Sequence, residues 1–229
     1  MAARFKELCL DSRVPDDAEA SEQLGRFWAA LTGCVFQPDD GTGDVAPPPG
    51  GDEGMGIAIC PVPEQRTVKQ RVHLDVHVRS VDEVTGLGGT VLTPAHQGQP
   101  WTVCADPEGG ELCAFVREGE LPAYRTYELN IDAADPERIA RWWGEVFGLE
   151  AHNDGEPWWW VEGIPGCPFE SWVFAPVPEP KTVKNRMHWD LYGETADFLS
   201  RGATHLWDTR GWTTLADPEG NEFCVFGER

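Results

Sequence analysis

Thr182-Val183-Lys184-Asn185-Arg186-Met187-His188-Trp189-Asp190 decides the fold, because the chain has already spelled it once as Thr67-Val68-Lys69-Gln70-Arg71-Val72-His73-Leu74-Asp75. Extended back to Pro61 and Pro176, the two blocks share ten of fifteen residues at an offset of 115. A second pair, Trp101 to Phe115 and Trp212 to Phe226, shares ten of fifteen at an offset of 111. Self-similarity on this period marks two copies of one unit of ~110 residues. The copies divide as residues 1–118 and 123–229, joined by Glu118-Gly119-Glu120-Leu121-Pro122.

The order of elements is clearest in the second copy. Tyr127 to Ile131 alternates as a strand does. Asp135-Pro136-Glu137 opens a helix with Asp as N-cap, Pro at the first position and an acid in the first turn. Ile139, Trp142, Trp143 and Val146 keep helical spacing, and Gly148 closes the helix. Strands are expected at 158–161, 171–174, 186–192, 205–207, 212–215 and 221–226, with a short helix over 196–201. The first copy repeats the order with a few extra residues before its helix. Strand–helix–strands, taken twice, is α+β.

Composition narrows the function classes. No apolar run nears the ~18 residues of a membrane span, and Met1-Ala2-Ala3-Arg4-Phe5-Lys6 carries no signal-peptide core, so a cytoplasmic setting is expected. Seven cysteines without a Cys-x-x-Cys pair speak against a disulfide framework or a zinc knuckle. The net charge of −21 is spread evenly, with 19 acids and 9 bases in residues 1–118. Such a field repels nucleic acid and anionic membranes.

Three elements in fixed order carry a resemblance: Asp135-Pro136 with Trp142-Trp143 and Phe147-Gly148; Asn185-Arg186-x-His188-x-Asp190; and Asp217-Pro218-Glu219-Gly220-Asn221-Glu222-Phe223-Cys224. Together they resemble the glyoxalase/bleomycin-resistance/extradiol-dioxygenase (vicinal oxygen chelate) superfamily, in its glyoxalase-like subgroup. That resemblance implies two tandem domains, each of two βαβββ modules curling a mixed sheet into a cup with helices outside. It also implies a monomer by internal pairing, or a homodimer.

On the strand around His188, alternation puts Arg186, His188, Asp190 and Tyr192 on one face and Met187, Trp189 and Leu191 on the other. His188 and its twin His73 fall where this superfamily places a metal-binding His. The last-strand Glu of the superfamily matches Cys224 here, and Cys113 in the first copy. Cys suits zinc or iron better than a hard oxygen site. Glu222, Glu128 and Glu170 are the other candidate ligands for zinc, nickel, manganese or iron. Equally open is an acid–base pair, His188 oriented by Asp190, or a histidine that only orders the sheet.

The copies differ in aromatic content. Nine of eleven tryptophans lie in the second copy, and Trp158-Trp159-Trp160 stands where the first copy has Gly43-Asp44-Val45 within a Gly/Pro-rich stretch expected to be a loop. Trp158, Trp160, Trp172 and Trp207, with Arg186, Tyr192 and Cys224, are therefore the expected lining of a small-molecule cup in the second copy, the first being degenerate. The function expected is binding or sequestration of an aromatic or largely apolar compound. The alternative is a metal-dependent lyase, isomerase or dioxygenase using His188.

Overall fold

The computed structural model describes residues 3–13, 18–38 and 43–227. The chain runs through four βαβββ modules. The first is β1 (Arg4–Arg13), α1 (Ala18–Thr32), β2 (Val35–Gln37), β3 (Asp44–Ala46) and β4 (Ile57–Val62). The second is β5 (Val72–Val78), α2 (Val81–Gly86), β6 (Thr90–Thr93), β7 (Thr102–Ala105) and β8 (Glu111–Val116). The third is β9 (Thr126–Ala133), α3 (Pro136–Phe147), β10 (Ala151–His152), β11 (Trp159–Glu162) and β12 (Ser171–Pro176). The fourth is β13 (Met187–Tyr192), α4 (Thr195–Ser200), β14 (Thr204–Asp208), β15 (Thr213–Ala216) and β16 (Glu222–Phe226). No helix among the described residues is long and apolar enough to cross a membrane.

The modules build two eight-stranded sheets, and each sheet takes one module from each copy. Sheet A runs β14-β15-β16-β13-β1-β4-β3-β2 and sheet B runs β10-β11-β12-β9-β5-β8-β7-β6. A cup closed within one copy was the expectation; the observed seam is antiparallel β1–β13 in sheet A and antiparallel β5–β9 in sheet B. The cause is the two Pro-Val-Pro-Glu linkers. Residues 63–71 leave sheet A and enter sheet B, and residues 177–186 return, so each central strand meets the other copy's edge.

The helix signals hold. Asp135 accepts from Arg138 N at 3.1 Å, Pro136 sits at the first turn, and Gly148 closes α3 at φ 71°. Trp143 is fully buried and its indole lies 5.2 Å from Trp172 of sheet B, 5.4 Å from Trp189 and 5.2 Å from Phe223 of sheet A. One aromatic side chain thus joins both sheets in a single core. The stretch read as a first-copy loop contains the strand β3, because Val45 is buried and pairs with Phe36 and Ile57; residues 39–42 lie outside the described ones.

The repeated Asp-Pro-Glu-Gly turn is a staple. Asp217 accepts from Glu219 N and Asn221 N at 2.9 Å and from Trp143 Nε1 at 3.3 Å, and Asp106 accepts from Trp28 Nε1 at 3.3 Å. Glu219 accepts from Ala134 N and Asp135 N, both at 2.7 Å, tying sheet A to the start of α3. Its twin Glu108 accepts from Ser12 Oγ at 2.7 Å and Arg13 N at 2.9 Å. Glu219→Gln is expected to cost about 1 kcal/mol in urea unfolding; an unchanged midpoint would remove the staple from the stability account.

Candidate functional site

Each sheet has a core face and a polar face. On sheet A, the pairings Cys9↔His188, Glu7↔Asp190, Asp11↔Cys60 and Asp190↔Cys224 bring residues of β1, β4, β13 and β16 onto one polar face. Met187, Trp189 and Leu191 fill the core face, as alternation requires. On sheet B, His73↔Asn130, Asp75↔Glu128 and Asp75↔Cys113 repeat the pattern.

The sheet A site centres on His188. Cys9, Asp11 and His188 bring ligand-type atoms within 4.8 Å of one another, and so do His188, Asp190 and Cys224. Cys9, Asp11 and Cys60 were not among the candidates, because the His188 they join lies in the other copy. The signal that could have found them is the alternation of Cys9 and Asp11 on β1, matching that of His188 and Asp190 on β13. Burial, then the charge of Lys184, pulls His188 down to about 3. Burial raises Asp190 to about 6 against the lowering influence of Lys6 and the Cys224 thiol. Burial lifts the Cys224 thiol to about 12. The floor is therefore neutral imidazole and thiol beside a carboxyl that titrates late. His188 Nδ1 and Asp190 Oδ1 are buried without a hydrogen-bond partner.

Lys6 and Tyr127 are twins set in the same irregularity: register slips between Phe5 and Glu7 in β1, and between Thr126 and Glu128 in β9. Lys6 stands 3.9 Å from Asp190, pairs with Glu7, and sits 4.7 Å from the Phe226 ring. Tyr192 donates to Glu53 at 2.8 Å and packs under Arg4 at 4.4 Å. Trp212 stacks on Phe226 at 5.4 Å, and half-exposed Trp207 pairs with Thr214 at the same edge.

The sheet B site carries His73, Asp75 and Cys113, again within 4.8 Å. His73 Nε2 lies 3.4 Å from Cys113 Sγ and 3.5 Å from Asp75 Oδ1, and burial, then Lys69, lowers His73 to about 3. Burial, then the neighbouring Glu128, pushes Asp75 well up. Glu128 accepts from Ser171 Oγ at 2.8 Å. Tyr127 stacks on His77 at 4.6 Å, with Phe115 at 5.5 Å and Trp101 stacked beyond it. Trp160 pairs with Val173, which neighbours Asn130, so the tryptophan lies on this polar face.

Several expected site residues part company here. Trp160 shares a face with His73, Trp158 is an exposed residue just before the same strand, and His188 is in the other sheet. Trp172 is fully buried on the core face against Trp143 and lines neither site. Glu128 and Glu170 belong to sheet B and cannot join His188. Glu222 is spent on the linker, accepting from Lys181 Nζ at 2.7 Å and Asn185 N at 3.1 Å; Glu111 does the same for Arg66 and Gln70. Arg186 donates to the Glu64 carbonyl at 2.6 Å, as Arg71 does to that of Glu179 at 2.7 Å, and does not pair with Asp190. Where the linkers cross they leave a cavity of about 710 Å³, lined symmetrically by Lys69, Arg71, Lys184 and Arg186 with Asp11 and Asp132.

The donors around each histidine fit a borderline-soft ion: imidazole nitrogen, thiol sulfur and one carboxylate are zinc ligands, whereas a hard oxygen cage is not formed.

A family model described as a glyoxalase-like domain matches residues 8–115 and again 128–226. Glyoxalase I from Zea mays superposes with a TM-score of 0.69 at 10% identity, over 99% of this chain and 92% of that one. A candidate dioxygenase from Bacillus subtilis subsp. subtilis str. 168 superposes with a TM-score of 0.64 at 13% identity, over 98% of this chain and 86% of that one. These likenesses are of fold. No curated protein matches the chain.

Proposed function

The chain belongs to the glyoxalase-like domain family, and on that premise we propose that it binds a flat, largely apolar small molecule in the cup of sheet B. One observation carries this reading. His73 Nδ1, Asp75 Oδ1, His77 Nε2 and Asn130 Oδ1 are buried polar atoms on one face with no hydrogen-bond partner. Buried polar groups are normally satisfied, so a cluster of four asks for a ligand or ordered water to complete it. Around that floor, Tyr127, Phe115 and Trp160 offer ring faces. Few placed polar groups under an aromatic wall is the usual make-up of a small-molecule site. Sequestration of an aromatic compound follows most directly.

The test is a titration of intrinsic tryptophan fluorescence with a panel of planar aromatic compounds. Quenching is expected, and Trp160→Ala or His73→Ala should weaken the best compound about tenfold or more. Trp207→Ala, in sheet A, should leave it unchanged. Equal affinity in the Trp160 and His73 variants would sink the assignment to sheet B.

A second reading, a metal-dependent lyase, isomerase or dioxygenase, is favoured by the twin His/Asp/Cys clusters. A zinc-like ion held by His73, Asp75 and Cys113, or by His188, Asp190 and Cys224, would supply Lewis-acid polarisation of a vicinal oxygen pair. The chain's own part would be to orient those ligands and, through Lys6, to place a cation beside Asp190. Elemental analysis of untagged protein beside His73→Ala and His188→Ala separates the readings: near-stoichiometric metal lost with one histidine supports the second.

A further inference from the structure

We infer that Cys9 and Cys60 close to a reversible disulfide when the chain meets a hydroperoxide, making the polar face of sheet A a thiol-redox site. The two residues lie on the parallel neighbours β1 and β4. The register pairs Cys9 with Ala58 and Asp11 with Cys60, so both thiols point to one face, diagonally apart. Their sulfurs are 2.7 Å apart, and both cysteines are free. A disulfide needs about 2.05 Å between sulfurs, a small side-chain motion from here. Two thiolates on one tetrahedral zinc at about 2.3 Å each would have to stand well over 3 Å apart. Cys60 is also outside the groups of ligand atoms that gather around His188. The geometry therefore favours a bond over a shared ion. The feature is particular to sheet A: the twin positions in sheet B are Asn130 and Ala175.

The chemistry balances. Cys60 is the more open of the pair, and Cys9 is only 4% exposed. The Cys60 sulfur attacks the peroxide O–O bond, giving a sulfenic acid and releasing an alcohol, or water from hydrogen peroxide. Cys9 sulfur then attacks the sulfenic sulfur and expels water. Two thiols give up two electrons and two protons, all taken by the peroxide. A low-molecular-weight thiol reverses the step by exchange. Closing the bond takes the Cys9 thiol away from Asp11 and His188, so the redox state decides which donors that face presents.

The experiment uses the full chain, reduced, freed of reductant and treated with hydrogen peroxide. Alkylation under denaturing conditions should fall from seven thiols to five, a peptide map without reductant should join Cys9 to Cys60, and dithiothreitol should restore seven. Cys60→Ser should abolish the bridge, while Cys113→Ser, in sheet B, should still lose two thiols. The inference is overturned if seven thiols persist, if other cysteines pair, if Cys60 proceeds to sulfinic acid with Cys9 still alkylatable, or if bound zinc protects both.

Discussion

Trp143→Ala is expected to destabilise the protein by about 3–5 kcal/mol, with both sheets lost in one transition. The side chain is completely buried. Its ring touches Trp172 in sheet B, Trp189 and Phe223 in sheet A, and stacks on Phe147 of its own helix at 5.6 Å. No single neighbour can fill the space it leaves, because the contacts come from three directions. Trp143→Phe separates the two contributions: most of the packing stays, and the bond from Nε1 to Asp217 goes, at about 1 kcal/mol. Urea unfolding followed by far-UV circular dichroism and by tryptophan fluorescence reads both. Coincident curves with a lower midpoint are expected. Two separated transitions in Trp143→Ala would show that the sheets do not share one core.

The Trp143–Asp217 contact also shows what was legible in advance. The Asp135 cap, the Gly148 stop and the alternation at His188 are local signals, written within a few residues of where they act, and the period is read by laying the two copies side by side. The family assignment rests on them and holds. Strand pairing is a different kind of information. Nothing near Cys9 announces His188, more than 170 residues away, as its neighbour; that contact is made because two linkers cross between sheets. The misplacement of Trp160, Glu128 and Glu170 follows from this. Trp160 was grouped with His188 because both lie in one copy, yet copies do not delimit sheets. Glu222 looked like a ligand because it shares a face with Cys224, but its carboxylate reaches the linker first. Trp172 and Trp160 are indistinguishable as letters, and only the register Trp172↔Leu129 against Trp160↔Val173 sends one to the core and the other to the polar face. Val45 had too little apolar company in sequence to declare a strand.

His188→Gln is expected to flatten the acid limb of the stability curve, and the sign can be worked out group by group. Burial holds His188 at about 3, against about 6.5 in an unfolded chain. Between those values the unfolded state takes a proton that the folded state refuses. Stability is therefore full above pH 6.5 and falls by about 1.4 kcal/mol per pH unit as the pH drops toward 3. His73 adds the same slope. Asp106, Asp190 and Asp217 work in the opposite sense. Burial raises each to about 6, so between 6 and about 3.8 the folded state holds protons that the unfolded state releases. Their contribution grows as the pH falls and, three groups against two, outweighs the histidines over that window. Below about 3.8 these carboxyls are protonated in both states and the histidines act alone. The wild-type curve should rise gently from pH 6 to 4, three carboxyls working against two histidines, and fall steeply below 4. The difference between wild type and His188→Gln, from urea midpoints taken with a chelator present, isolates one histidine: constant above pH 6.5, then changing by about 1.4 kcal/mol per unit toward acid. A pH-independent difference would mean that His188 takes its proton at an ordinary pH, which an imidazole sealed beneath the sheet A face cannot do without opening that face.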